Sequence, residues 1–189
     1  MKNKSILFFL FLFSVFIVVS CKKKYDPEEE DRKNLKTADS LVSLAYKKFN
    51  SENYEEAYDL CNVAITKSLG HQRALALMGK VQFELEDYSQ AIELFTIVID
   101  DPGTMRHYEL ADLYQKRAFA KETLEDYRGA LVDYDILVNT FDSRYGYYQR
   151  GILKYNFLDD ANGACSDWSV AGERGDARAY DLIAKFCNN

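Results

Sequence analysis

Leu85-Glu86-Asp87-Tyr88-Ser89-Gln90-Ala91 is the stretch whose reading decides the fold. It recurs along the chain. Asn53-Tyr54-Glu55-Glu56-Ala57 precedes it by 34 residues, Leu124-Glu125-Asp126-Tyr127-Arg128-Gly129-Ala130 follows after 39, and Leu158-Asp159-Asp160-Ala161-Asn162-Gly163-Ala164 after another 34. A polar turn, an aromatic and an alanine recurring at this period mark a solenoid of helical hairpins. One hairpin cannot bury its apolar face alone and must stack on the next.

Apolar stripes at helical spacing flank each copy. Leu41, Leu44, Ala45 and Phe49 lead into the first turn, and Tyr54, Ala57, Leu60, Cys61, Ala64 and Ile65 follow it. Leu75, Met78, Gly79 and Phe83, then Tyr88, Ala91, Leu94, Phe95 and Val98, repeat the pattern. Gly79 costs about 1 kcal/mol against alanine in a helix interior, so close approach of the facing helix is the expected compensation. Pro102-Gly103 stops the second hairpin. Five extra residues fall within Asp101–Leu110. Thr104 is the expected cap of a helix from Met105, longer than its neighbours. The fourth hairpin holds one extra residue in its first helix or its turn. Ala179, Leu182, Ile183 and Phe186 lie on one face of a last helix, the expected cover for the open end of the array.

The chain has 189 residues, 48% hydrophobic and 29% charged, with a net charge of −6. Only Lys2 and Lys4 are charged in residues 1–20, and removing that stretch leaves −8. No basic face is gathered, so nucleic acid is not an expected partner.

Lys2 and Lys4 precede an apolar run from Ile6 to Val19, followed by Val18-Val19-Ser20-Cys21. The run is short for a membrane span. The order of charge, apolar run and cysteine resembles a bacterial lipoprotein signal. That resemblance implies removal of residues 1–20 and a lipid on Cys21, hence a membrane attachment through the N-terminus. Residues 21–36 are mostly polar and are expected as a tether, although Asp26-Pro27 and three glutamates also have the form of a helix start. The lysines after Cys21 and the acids that follow resemble surface lipoproteins of Bacteroidetes-type bacteria.

The repeats resemble tetratricopeptide repeats. Leu44-Ala45, Met78-Gly79, Arg117-Ala118 and Arg150-Gly151 match in the first helices. Tyr54, Tyr88 and Tyr127 match at the start of the second helices, Ala57, Ala91, Ala130 and Ala164 one turn on, and Ala64, Val98, Leu137 and Ala171 near their ends. The usual early tryptophan is replaced by Leu41, Leu75, Tyr114 and Tyr148, and the closing proline survives only as Pro102. The resemblance covers residues 37–187. It implies an all-α, right-handed superhelix with repeats at about 38–71, 72–103, 111–143 and 144–176, and a capping helix at 177–187. Gly163-Ala164-Cys165 through Phe186-Cys187 is similar to the ending of tetratricopeptide proteins common in Bacteroidetes.

The resemblance places ligands on the concave face, lined by first-helix residues off the packing stripe. Tyr46, Arg73, Lys80, Gln115, Phe119, Tyr148 and Tyr155 project there, with Val42, Phe49, Phe83, Tyr145 and Ile152 there or at its edge. Aromatics with a few cations suit a peptide or a partner's helix. The alternative for Phe49, Phe83 and Tyr155 is filling between repeats. Val42 and Tyr46 stand where the carboxylate clamp of some relatives has lysine and asparagine, so that clamp is absent.

Cys165 and Cys187 flank a hairpin with its turn near residue 174, and a bridge or two buried thiols both fit. Cys61 reads as core. His71 and His107 read as exposed loop residues, without metal-ligand spacing. Acids such as Glu84, Glu86, Asp87, Asp133 and Asp135 read as solvated helix faces and caps. No nucleophile turn, phosphate loop or catalytic carboxylate pair stands out, and no cofactor is implied. The expected function is therefore non-enzymatic protein binding at the bacterial cell envelope, on either face of the outer membrane. Two narrower expectations stay open: a subunit of an outer-membrane protein assembly machine, and a glycan- or peptidoglycan-associated lipoprotein.

Overall fold

The computed structural model describes residues 26–187. Cys21 and the expected leader lie outside the described residues. Within them the chain forms helices α1 (Pro27–Asn50), α2 (Tyr54–Lys67), α3 (Gln72–Glu84), α4 (Tyr88–Asp100), α5 (His107–Thr123), α6 (Tyr127–Asn139), α7 (Arg144–Phe157), α8 (Ala161–Glu173) and α9 (Ala177–Phe186). The chain divides into two units at Lys33/Asn34, and the packing below is that of the residues from Asn34 onward. The hairpins are α1/α2, α3/α4, α5/α6 and α7/α8, and α9 packs on α8.

The repeated turn carries the hairpin. Asn53, Asp87, Asp126 and Asp160 each cap a second helix, their side chains accepting from the backbone N–H three residues on. Before each cap sits a residue with positive φ: Glu52, Glu86, Glu125 and Asp159. The first three turns close alike. Asn53 N–H bonds the Lys48 carbonyl, Asp87 the Gln82 carbonyl and Asp126 the Lys121 carbonyl. These bonds satisfy carbonyls that the end of the first helix would leave unpaired. In the fourth turn Asp160 N–H reaches back one residue further, to Lys154. The extra residue of that hairpin therefore lies in the last turn of α7.

Two boundaries differ from the sequence expectation. Residues 27–36, expected mainly as tether, are the first turns of α1. Pro27 opens the helix, the Asp26 carboxylate accepts from Glu28 N–H at 3.0 Å, and Glu28, Glu29 and Glu30 occupy the positive end. The long first helix of the third hairpin begins at His107, and Thr104 does not cap it. Glu109 closes this end instead, accepting from the Arg106 backbone N–H at 2.8 Å and from Arg106 Nε at 3.1 Å. The Arg106 side-chain bond chiefly holds the Glu109 carboxyl down at about 2. A carboxylate bonded to both a helix-end N–H and a guanidinium outcompetes a neutral threonine cap.

The core follows a size rule between facing helices. Cys61, Phe95, Tyr134 and Trp168 occupy the same place on successive second helices, all buried. Opposite them stand Ala45, Gly79, Ala118 and Gly151. A Cβ built on Gly79 would lie 2.6 Å from the Phe95 ring, and one on Gly151 2.5 Å from Trp168 Nε1. Gly79 is thus explained by close approach. Burial pushes the Cys61 thiol up to about 12, so it is an inert core residue. At the end of the array α9 lays Ala179, Leu182, Ile183 and Phe186 against Trp168 and Ala171. Cys165 is disulfide-bonded to Cys187, with Cα atoms 5.7 Å apart.

Candidate functional site: the first-helix face

Successive first helices are tied to one another by paired charges. Lys80 of α3 meets Asp112 of α5 at 2.7 Å. Lys116 of α5 meets Glu84 of α3 at 3.5 Å, and its ammonium lies 4.4 Å from the Phe83 ring centroid. Arg73 Nε stands 4.0 Å from Glu109. At the N-terminal end, His71 Nε2 lies 3.2 Å from Asp39 Oδ1, joining the start of α3 to α1.

The expected site residues divide into three groups. Arg73 and Lys80 are on this face but engaged as above. Tyr46 packs against the first core cluster, where burial raises its phenol and Lys80 opposes the rise. Gln115 is half-buried on α5. Phe119 is 39% exposed, 5.6 Å from the Phe83 ring and 6.2 Å from Tyr88. Tyr148 is half-buried under the Arg178 guanidinium, 4.2 Å from its ring centroid. Tyr155 follows the alternative reading of a filling residue. It is half-buried and packs against the end-cap cluster, 4.5 Å from Phe186 and 5.7 Å from Trp168. Val42 is likewise core, 4% exposed between α1 and its neighbours.

Between the third and fourth hairpins lies a polar corner. The Tyr134 hydroxyl donates to Glu122 Oε2 at 2.9 Å, and Gln149 Nε2 donates to the Tyr145 hydroxyl at 3.1 Å. Burial raises the Glu122 carboxyl above the usual carboxylate range, with the Tyr134 bond acting against it.

Two readings of polar residues are corrected. Asp133 is not a solvated acid: it is fully buried on α6. Arg117 donates to it through Nε at 3.0 Å and Nη2 at 2.6 Å, and Lys121 Nζ at 2.9 Å. One repeat on, Arg150 grips Asp167 at 2.9 and 2.5 Å and Lys154 adds a contact at 2.9 Å. The signal was present, since Arg117/Lys121 and Arg150/Lys154 have the i,i+4 spacing that puts two cations on one helix face, with an aspartate a hairpin's turn away. His71 is not an exposed loop residue either. It is 7% exposed and caps α3, its Nδ1 accepting from Ala74 N–H at 3.3 Å. That bond leaves the ring proton of the neutral form on Nε2, facing Asp39. His107 is exposed and packs its ring 4.4 Å from Phe141.

Comparisons with other proteins bear on the fold. Residues 31–96 match the family model described as anaphase-promoting complex, cyclosome, subunit 3. No curated protein sequence matches the chain at a significant level. Among solved structures, a MamA protein superposes with a TM-score of 0.63 at 18% identity, over 76% of this chain and 77% of that one. YrrB, described as a TPR protein with an unusual peptide-binding site, gives 0.65 at 19% identity, over 81% of this chain and 77% of that one. A tetratricopeptide repeat protein from Parabacteroides merdae ATCC 43184 gives 0.65 at 18%, over 76% of this chain and 56% of that one. With its capped hairpins and the size-matched packing between them, the chain carries the stacked-hairpin superhelix of tetratricopeptide repeat proteins.

Proposed function

We propose that the chain is a non-enzymatic adaptor that binds a peptide or a partner's helix along its first-helix face. The observation that carries this is the state of that face. Its helices are locked together by Lys80–Asp112 and Lys116–Glu84, while Phe119 stays exposed beside those pairs. A rigid surface with an exposed aromatic anchor loses little ordering entropy on binding. Aromatic anchors carry much of the energy of peptide recognition. YrrB, a TPR protein of this fold with an unusual peptide-binding site, supports a peptide as the ligand class.

The same proposal places the adaptor at the bacterial cell envelope, held to the outer membrane by lipid on Cys21. The support is the order Lys2, Lys4, Ile6 to Val19 and Cys21. Several acyl chains on one residue anchor firmly, since each buried CH₂ is worth about 0.8 kcal/mol. Metabolic labelling with a radioactive fatty acid tests this part: wild-type chain takes up label and Cys21→Ala does not. Label retained in Cys21→Ala would remove the anchor from the proposal.

The binding part is tested by capture from envelope extract with the wild-type chain, Phe119→Asp and Val63→Asp. Val63 is exposed on the second helix of the first hairpin, away from the first-helix face. A protein retained by wild type and Val63→Asp but lost with Phe119→Asp is the expected result. Identical capture by all three would overturn it.

A further inference from the structure

The packed array has two edges of different chemistry. One carries the turns within hairpins, where Glu52, Glu86, Glu125 and Asp159 are all exposed. The other carries the loops between hairpins, at residues 68–71, 101–106, 140–143 and 174–176. Helices α3, α5 and α7 begin on this loop edge. The array itself begins there too, at Asn34, next to Leu35.

The two most exposed large apolar side chains among the described residues belong to the loop edge: Leu69 at 90% and Tyr108 at 61%. Leu35 is exposed as well, and Leu35, Leu69 and Met105 line one cavity of about 250 Å³. Three separate segments thus bring apolar side chains to one place. Lys36 and Lys67 are exposed beside the leucines, without an ion pair among the described residues. The Arg106 guanidinium lies 4.5 Å from the Tyr108 ring centroid. Of the nearby acids, Asp39 is engaged with His71, and Glu109 with Arg106 and Arg73. Asp100 and Asp101 end α4 on the same edge, so it is not a basic patch, and its distinguishing feature is the exposed apolar surface.

We propose that the loop edge rests on a lipid surface, with Leu69 entering the headgroup region and Leu35 and Tyr108 beside it. The inference rests on the lipid anchor at Cys21 proposed above, and says which edge of the array that anchor turns to the membrane. Leu35 follows Cys21 by 14 residues. From Leu35 to Asn50 the chain runs 15 helical steps, about 22 Å at 1.5 Å each. The acidic turn edge is therefore that much farther along the chain from the attachment. Leucine and tyrosine lose apolar contact with water at the interface, and flanking lysines keep their ammonium groups among the headgroups while their stems lie along lipid. The carboxylates of the turn edge would meet repulsion from anionic lipid.

The test places a polarity-sensitive fluorophore on Leu69→Cys, Leu35→Cys or Leu85→Cys. Cys61 is buried and Cys165 is bonded to Cys187, so the new thiol takes the label. Leu85 is 55% exposed on the turn edge and serves as the contrast. The chain is purified from membranes and reconstituted on vesicles of phosphatidylethanolamine and phosphatidylglycerol. The expected result is blue-shifted emission and quenching by spin-labelled lipid at 69 and 35, and neither at 85. Adding Leu69→Asp should weaken the signal at 35, which an inserted Leu69 requires and mere nearness to the membrane does not. An attached chain that keeps residue 69 in water, reports equally from 69 and 85, or holds its signal at 35 with Leu69→Asp overturns the edge assignment and leaves the anchor intact. So does emission at 69 that shifts only when envelope proteins are added, since a protein then covers this edge. A chain that carries no lipid and does not attach overturns both.

Discussion

The first two hairpins and the last two solve one packing problem differently. At the position where the first helix of a hairpin meets its second, the chain places Leu44 and Leu60, then Met78 and Leu94, then Arg117 and Asp133, then Arg150 and Asp167. Lys48, Gln82, Lys121 and Lys154 stand one turn further along. The backbone takes the same hairpin in all four. The ionic versions differ in reach. Arg117 Nη1 also donates to Thr96 Oγ1 on α4 at 2.9 Å, and Arg150 Nη1 to Asp135 on α6 at 2.6 Å. Each guanidinium therefore joins both helices of its own hairpin to the second helix of the hairpin before it. The apolar pairs have no such directional link. The C-terminal half thereby gains a defined stacking geometry at an electrostatic cost that the N-terminal half avoids.

The sharpest way to break this comparison is to remove one partner. Asp133→Leu leaves Arg117 and Lys121 buried against an apolar side chain, and a loss of about 3–5 kcal/mol in unfolding free energy is expected. The triple change Arg117→Met, Lys121→Gln and Asp133→Leu transplants the residues of the second hairpin. It should recover most of that loss, because matched apolar replacements of buried ion groups are often neutral or stabilising by about 1–4 kcal/mol. Urea midpoints read both. A triple variant as unstable as the single would mean that the two solutions are not interchangeable.

The next effect is covalent and also belongs to the C-terminal half. Cys165 and Cys187 close a segment with a sequence separation of 22. Chain-entropy arguments give such a bridge about 3 kcal/mol. Under reducing conditions hydrogen-exchange protection should fall in α8 and α9 and hold in α1 to α4. Uniform loss across the chain would show that the halves are not separable.

The glycines give a smaller effect in both halves. Gly79→Ala and Gly151→Ala each force a Cβ against a buried ring, and about 1–3 kcal/mol of destabilisation is expected. Ala118 faces a large tyrosine with a Cβ already in place, so Ala118→Gly should cost the helix-propensity difference plus the burial of one methyl, about 2 kcal/mol. Thermal unfolding of the three variants ranks them. A harmless Gly79→Ala would show that the Phe95 ring can give way.

The smallest effect is on Glu122, and its sign is set by proton linkage. Its folded carboxyl is raised by burial, so the folded state holds the proton more tightly than the unfolded one. Stability then falls as pH rises from the unfolded carboxylate range through the raised folded value. Glu122→Gln should remove this slope and make the free chain slightly more stable at neutral pH. A variant less stable than wild type at pH 7 would contradict the reading of Glu122 as an unpaired charge.

Hairpin number, turn positions and the cap helix were legible because they rest on local chemistry repeated at a fixed period. Asp87 and Asp126 are turn acids followed by helix-starting tyrosines, and Gly79 signals a close approach before its partner is known. The long α5 was legible as a count of extra residues, whereas its start was not, since Thr104 is of a usual capping type while the end is closed by Arg106 and Glu109. The first-helix face was legible only as a projection. Arg73, Lys80 and Phe119 keep to it, while Tyr155 is half-buried against the end-cap cluster because α9 folds back beside it, an event no helix period encodes.

The sequence by itself determined a stack of capped hairpins, since each turn and stripe acts within about 34 residues. It also determined which charges exist. Only the tertiary structure decided which charges are buried. Asp133 and Glu125 are both acids near a hairpin turn. The first is withdrawn from water and held by Arg117 and Lys121, and the second stays in solvent with positive φ. Burial depends on which neighbouring helix covers a face, and Asp133 enters the core because two cations from another helix meet it there.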